Sequence, residues 1–571
     1  MPGPGHVESP TLAAEMGPTP DSPADATHWW REAVVYQIYP RSYADTNGDG
    51  VGDLPGVTAH LDHLEWLGVD AIWSSPVSVS PNADWGYDLA DYCDVDPALG
   101  TLADLDALVT AAAARGIRVL LDLVPNHTSI EHPWFVEARS SRDSTKRDWY
   151  VWADPATGGG PPNNWVSTFL GPGWELDETT GQYFLHNFLP EQPDLNWWNE
   201  EVRAEFDRIL RFWFDRGVAG FRIDVAHMVV KDALLRDNPP AREDDHWMEQ
   251  LRGQRQEFNA CRPEVHDVYR RWRAIANAYE PPRLLLGETH VFDAETLASF
   301  YGDDDELGLA FNFMFLHDEF VPGRLRAVVA ATEAALSADA WPVWTLSNHD
   351  ISRFPTRWCG GDEARVRCAL LLLLTLRGTP VLYYGDELGL PDTAVPDGLL
   401  RDPVTIAYRG VIDRDCARTP MPWTGAAGGG FTDPGVEPWL PFGDLAAHNV
   451  ADQRADPGST LHLVRDLLAL RRGTSDLVVG AYTDLGVDGD GWSFRRGAHV
   501  QVVLNVGTQV ITVPVAIGDD GDSRVSVAIA SDRVGEGETV GDSIEVEGGR
   551  ALVLVAPTTR GTADRVTTER D

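Results

Sequence analysis

Apolar residues along the chain fall into short continuous runs, and between these runs lie segments with helical spacing. VVYQIY, from Val34 to Tyr39, is the first apolar run. PGVTAHLDHLEWLG then reads as a helix, VDAIWSSPV as a strand, TLADLDALVTAAAARG as a helix and IRVLLDLVPNH as a strand. Such alternation predicts a parallel sheet buried on both faces. It stops at Asn126 and His127, where residues 128–190 are dense in Trp, Pro, Gly and Asn. A structureless loop of that length does not suit a compact domain, so the segment is expected to be a small inserted domain. Strands resume at VAGFRID, RLLLGET, LGLAFNF, PVWTLSN and TPVLYYG, with helical segments such as DEARVRCALLLLLTLRG between them. Near Asp476 the texture changes to short Val-rich alternating pieces (VQVVLNVG, QVITVPVAI, RALVLVAP), the pattern of an antiparallel sheet.

The strand candidates preceding that change are enough to close a (β/α)8 barrel. The expected architecture is therefore an α/β protein. It has a TIM barrel over residues 28–127 and 191–474, an inserted subdomain over 128–190 after the third strand, and a C-terminal antiparallel β-sandwich over 475–557. Residues 1–27, rich in Pro, Ala and acids, and residues 558–571 are expected to be loose tails.

Charge narrows the function classes. A formal charge of −42 argues against nucleic acid as a partner, since a phosphate backbone demands Lys and Arg. The longest apolar run, from Cys368 to Leu376, is too short to cross a bilayer, and the N-terminus has neither the basic nor the apolar part of a signal peptide. Five scattered cysteines without C-x-x-C spacing favour reduced thiols. A cytoplasmic enzyme with no membrane partner and no organic cofactor is the expectation. The oligomeric state is left open.

The chemistry concentrates at strand ends. The third strand ends in Asp122, Asn126 and His127, the fourth in Arg222 and Asp224, the fifth in Glu288, and the seventh in Asn348, His349 and Asp350. Barrel enzymes work at that end of the strands. Asp224, Glu288 and Asp350 thus converge on one mouth, and paired carboxylates there are what glycoside hydrolysis needs: an ionised nucleophile and a protonated acid. Arg222, two residues before Asp224, shares its strand face and is expected to hold it ionised. Glu288 follows an apolar strand without an adjacent cation, which suits an acid.

The strings DLVPNH, GFRIDVAH, GETH and SNHD, in that order, resemble the four conserved regions of the α-amylase superfamily, glycoside hydrolase family 13, and QPDLN resembles its fifth region. The variety is closest to the α-glucosidase and oligo-1,6-glucosidase group, in particular to actinobacterial α-glucosidases. The resemblance implies a retaining mechanism with Asp224 as nucleophile, Glu288 as acid/base and Asp350 as transition-state stabiliser. It implies further that His127 and His349 bind the sugar, that Arg222 orients Asp224, that Tyr87 and Asp88 form the family's Tyr-Asp pair, and that Arg414 contacts the same glucose. The substrate implied is a small oligosaccharide or glucoside, with α-1,4 links favoured by GFRIDVAHMVVKD and PEQPDLNW, and α-1,6 links favoured by Val225 after the nucleophile. Trehalose synthases carry a Glu in place of Asp122, and the related but inactive heavy chains of amino-acid transporters have lost the catalytic residues that this chain keeps.

A second constellation follows the first strand. In ADTNGDGVGDLPG, Asp45, Asn47, Asp49 and Asp53 alternate as in an EF-hand loop, but Gly56 stands where that loop has its bidentate Glu. Oxygen donors still favour a hard cation. The loop resembles the calcium site of the oligo-1,6-glucosidase group, with Val51 giving its carbonyl, so a structural Ca2+ is expected. The tryptophans, including Trp30, Trp73, Trp149, Trp165 and Trp344, are expected to pack cores rather than sugars.

Overall fold

A computed structural model describes residues 26–407, 413–487, 489–518 and 524–557. The two expected tails, 1–27 and 558–571, lie outside the described residues except for the last two positions of the first.

Eight strands form one parallel sheet: β1 (Val35–Ile38), β2 (Ala71–Ser74), β3 (Arg118–Leu123), β4 (Gly220–Ile223), β5 (Leu284–Gly287), β6 (Leu309–Ala310), β7 (Val343–Thr345) and β8 (Thr379–Tyr383). They are hydrogen-bonded in the order β6-β5-β4-β3-β2-β1-β8-β7, and a parallel bridge from Phe311 to Val343 joins the two ends into a closed barrel. Successive residues of a strand point to opposite faces. Val35, Ala71, Leu120, Leu284, Leu286 and Val381 accordingly fill the barrel interior, while Tyr36, Ile72, Leu121, Phe221 and Leu285 pack outward under the helices. The helix Leu102–Ala113 starts at a Thr101/Asp104 capping box, and Glu200–Asp215 starts at Asn199, whose side chain accepts from Glu201 N. Such caps satisfy amides that the first turn leaves free.

LGLAFNF yields only the two-residue β6, because Asn312 accepts from Phe315 N and turns the chain into the helix Phe313–His317. The inserted segment carries a three-stranded antiparallel sheet, Trp152–Ala153, Gln182–Leu185 and Trp174–Asp177 in spatial order. Bridges from His127 to Asp194 and from Tyr150 to Leu195 tie it to the end of β3. The C-terminal part begins its first strand at Tyr482. It pairs a five-stranded antiparallel sheet with a two-stranded one, Ile511–Pro514 and Ser543–Val546, around Val503, Val513, Val527, Val546 and Leu552. It docks on the helix Glu363–Thr375, where the Arg496 guanidinium donates to Thr375 O at 2.6 Å.

Trp30, Trp73, Trp149, Trp165 and Trp344 are all buried, and the five cysteines are free thiols. Among the described residues no helix is long and apolar enough to cross a membrane.

Candidate active site

Strand register brings the charged tips together. Asp122 on β3 and Leu286 on β5 flank Arg222 on β4. The Arg222 guanidinium donates through Nη1 to Asp122 Oδ1 at 2.9 Å and to Asp224 Oδ1 at 2.9 Å, and Nη2 lies 2.7 Å from Glu288 Oε2. One cation therefore serves three carboxylates. This corrects the expectation that Glu288 has no adjacent cation. Trp73 Nε1 and Tyr87 OH donate to Asp122 as well, at 3.2 and 3.1 Å. Burial pushes the Asp122 carboxyl up to about 7 against the pull of Arg222, and burial likewise raises Asp224, with Glu288 and Asp122 adding to it. A buried cluster with more carboxylates than cations retains a proton, and a glycosidase needs one protonated carboxyl.

Val225 sits between nucleophile candidate and acid candidate at φ 37°, in the left-handed region. For a β-branched residue this costs on the order of 1–3 kcal/mol. The turn aims Val225 N at Glu288 Oε2, 2.8 Å away, and so fixes that carboxylate.

Asp350 is held from the opposite side. Arg418 Nη2 and Arg414 Nη1 donate to its Oδ1 at 2.9 and 3.3 Å, and His349 Nε2 lies 3.0 Å from its Oδ2. Burial alone would raise Asp350, but His349, Arg418 and Arg414 together keep it below the usual carboxylate range. Gln37 Nε2 donates to His349 Nδ1 at 2.8 Å, which leaves the ring proton on Nε2, facing Asp350 and the Tyr87 hydroxyl at 2.6 Å. The Tyr87 and His349 rings stack at 5.3 Å, and burial lowers His349 to about 3. His127, lowered by burial to about 4, accepts from Asn126 Nδ2 at Nδ1 and donates from Nε2 to Tyr87 O at 3.0 Å.

These groups surround a cavity of about 820 Å3 at the C-terminal ends of the strands. Tyr87, His127, Asp224, Glu288, Asp350 and Arg414 line it, whereas Arg222 and His349 are buried behind it. Asp88 does not reach it. Its carboxylate accepts from Ser80 Oγ at 2.8 Å, Ala83 N at 2.9 Å and Asp84 N at 3.0 Å, and so fastens the loop. Asp84 is the carboxylate from that loop that lines the cavity, bound at 2.7 Å by Arg414 Nη2 and raised by burial to about 6 against that cation. The turn at Trp85 (φ 48°) and Gly86 (φ 109°) separates the two acids. Sequence reasoning also missed Arg418, which follows Arg414 in a segment without periodic pattern, and Asp402, which pairs with Arg414. Phe169 and Phe188 of the inserted segment and Asp392, Thr393 and Arg414 of the stretch after β8 close the walls; the Arg414 guanidinium lies 5.2 Å from the Phe169 ring centre.

The loop after β1 holds the residues offered to a cation. Asp45 Oδ1 accepts from Gly48 N at 2.8 Å, and its Oδ2 from Gly50 N at 2.9 Å and Thr432 Oγ1 at 2.6 Å. Asn47 accepts from Asp49 N, and Asp49 from Val51 N. Asp53 caps the helix Leu54–Ala59 through Gly56 N at 2.7 Å and accepts from Thr46. The all-oxygen donor set matches a hard cation, while among the described residues no three His, Cys, Asp or Glu side chains are gathered to hold a metal.

The alpha amylase catalytic domain matches residues 37–480. A probable alpha-glucosidase of Rhizobium meliloti (strain 1021) is 43% identical over 474 residues, covering 79% of this chain and 84% of that protein. An oligo-1,6-glucosidase of Heyndrickxia coagulans is 38% identical over 498 residues, covering 80% and 87%. Among solved structures, an alpha-glucosyl transfer enzyme superposes with a TM-score of 0.87 at 40% identity, covering 93% of this chain and all of that one.

Proposed function

We propose, for a chain that belongs to the alpha-amylase catalytic-domain family, a retaining exo-acting α-glucosidase. In this reading it removes the terminal α-1,4-linked glucose from maltose and short malto-oligosaccharides. The observation that carries the exo reading is the Arg414 network in the cavity wall. Arg414, tied to Asp84, Asp350 and Asp402 and packed on Phe169, closes the site beyond the residues that would grip one glucose. In this reading a longer chain would find no room on that side.

The chemistry follows from the carboxylates. Asp224 Oδ attacks the anomeric carbon while Glu288 gives its proton to the glycosidic oxygen; the C1–O bond breaks and the leaving sugar departs neutral. A β-glucosyl ester on Asp224 remains. Glu288, now ionised, takes a proton from water, which attacks C1, breaks the ester and returns α-glucose with both carboxyls in their starting states. That Arg222 reaches both Asp224 and Glu288 supports this assignment, because the spacing leaves less room for the interposed water of an inverting enzyme. Asp350, kept ionised by Arg418 and Arg414, would face the positive charge developing on the sugar ring. Tyr87, His127, Asp84 and Arg414 would hold the sugar. Asp45, Asn47, Asp49, Asp53 and the Val51 carbonyl would hold a structural Ca2+, stiffening the β1 loop without entering the reaction.

A specific observation favours a second reading, hydrolysis of α-1,6 links. Val225, buried against Phe188 and Met228 beside the scissile bond, is the residue type that the resemblance associates with that preference. A panel of maltose, maltotriose, isomaltose, sucrose and trehalose with product identification decides. The proposal expects the highest kcat/KM on maltose, and glucose plus maltose from maltotriose. Preference for isomaltose would replace the linkage, trehalose formed from maltose would make the enzyme an isomerising one, and internal cleavage of longer chains would overturn the exo reading. Glucose transfer to maltose at high concentration would add transglycosylation to the same intermediate.

A further inference from the structure

The leaving group must lie at Glu288, which protonates the bond that breaks, and the cavity wall beyond it differs from the sugar-holding end. His290 stands two residues after Glu288, with its backbone N 3.4 Å from His227 Nδ1 and its Nε2 3.1 Å from His317 Nε2. Burial first, then Arg252, keeps His227 lowered to about 3, and burial lowers His317 to about 3, so this side carries no histidine charge at neutral pH. Arg357, also on this wall, is spent on the carbonyls of Ser352, Leu316 and Leu346. Arg252, at the end of the short helix Trp247–Arg252, is different. Among the described residues it lines the cavity with neither an ion pair nor a hydrogen bond, and Glu249 acts on it only through space.

Gln256 adds a second free donor, since its Nε2 is buried without a partner on the same cavity. Trp247, Met248 and Phe313 add apolar surface to the same cavity. Two donors lacking acceptors beside an apolar shelf complement one kind of ligand.

We infer that the leaving-group side takes an apolar group bearing an anion, carboxylate or phosphate, with Arg252 and Gln256 as its hydrogen-bond donors. The inference deepens the α-glucosidase reading and rests on it. A half-buried guanidinium makes charge-assisted bonds to an anion about twice as strong as neutral ones, so an anionic leaving group should gain over its neutral isostere by about tenfold, or ~1.4 kcal/mol.

The test uses the full chain with 4-carboxyphenyl, 4-phosphonophenyl and 4-carbamoylphenyl α-glucosides, comparing kcat/KM in wild type, Arg252→Met and Arg252→Lys. The expected result is a wild-type preference for at least one anion over the amide of about tenfold, reduced to less than about twofold by Arg252→Met and partly recovered by Arg252→Lys. Whichever anion carries the preference identifies the ligand chemistry. A ratio at or below one for both anions, or a preference untouched by Arg252→Met, would overturn the inference. If the wild type cleaves maltose but none of the three, the inference alone is overturned; if it cleaves neither maltose nor any of the three, the α-glucosidase reading itself fails and the inference falls with it.

Discussion

The two ends of the catalytic cavity handle charge in opposite ways. At the sugar-holding end the charges are tied together, Asp350 with Arg418 and Arg414 and Arg414 with Asp84 and Asp402, while Gln37 and Tyr87 hold the neutral His349 ring. On the leaving-group side Arg252 and Gln256 Nε2 line the cavity without a partner among the described residues, beside uncharged histidines and aromatic surface. A saturated network is preorganised, so a rigid neutral sugar can exchange hydrogen bonds with it without rearrangement. An unsaturated wall leaves its polar groups to be completed by whatever departs or enters there. Under the proposed function, the difference makes the cavity strict about the sugar it grips and selective by charge about what the sugar is attached to.

The largest effect should come from the carboxylates where the two ends meet. Asp224→Ala should lower kcat/KM on maltose on the order of 10⁴-fold or more, read by steady-state kinetics; a loss within about tenfold would remove Asp224 from the nucleophile role.

Next comes the saturated end. Arg414→Met leaves Asp84, Asp402 and Asp350 short of a cation in a buried place, which costs on the order of 3–5 kcal/mol. Activity should fall about 10²-fold or more on substrates with any leaving group, and Tm should drop by several degrees. An effect confined to particular leaving groups would break the comparison.

Calcium tests the β1 loop, away from both ends. Saturating Ca2+ at about 100 times its Kd should stabilise the protein by about 2.7 kcal/mol over a chelated sample, read as a Tm increase. Equal melting with Ca2+ and with chelator would leave the loop a self-capped turn.

The neutral histidine wall gives a pH signature. His227 is neutral in the fold, with its pKa lowered to about 3, whereas in the unfolded chain it titrates near 6.5. Below pH ~6.5 the unfolded state binds a proton that the fold does not, so this contribution to stability is lost as pH falls, by up to about 1.4 kcal/mol per unit. His227→Gln should flatten the decline of Tm between about pH 6.5 and pH 4; an unchanged slope would mean that the ring charges within the fold.

The smallest effect should be the stability of Arg252→Met. A cation with no partner leaves no orphan when removed, so stability should change by no more than about 0.5 kcal/mol, in contrast to Arg414→Met.

Much of this was legible in the sequence because it depends on local pattern. Continuous apolar runs mark strands buried on both faces, and a charged residue ending such a run has only the strand tip to occupy, which is how Asp224, Glu288 and Asp350 could be read as neighbours. What escaped depends on contacts across the chain. Asp84 and Asp88 differ in sequence by four positions, and only the turn at Trp85 and the Ser80 hydroxyl decide which carboxylate faces the cavity. The sharing of Arg222 follows from strand register, which apolar runs do not specify. Arg418 and Arg252 lie in a segment and a short helix whose positions are set by packing at the barrel mouth rather than by periodicity.

The central claim, a retaining displacement at Asp224, is tested most directly by following maltose hydrolysis with proton NMR in the first minutes, before mutarotation mixes the anomers. The account predicts that the glucose released from the non-reducing end appears as the α-anomer. Its first appearance as the β-anomer would contradict a covalent intermediate on Asp224 and the mechanism built on it.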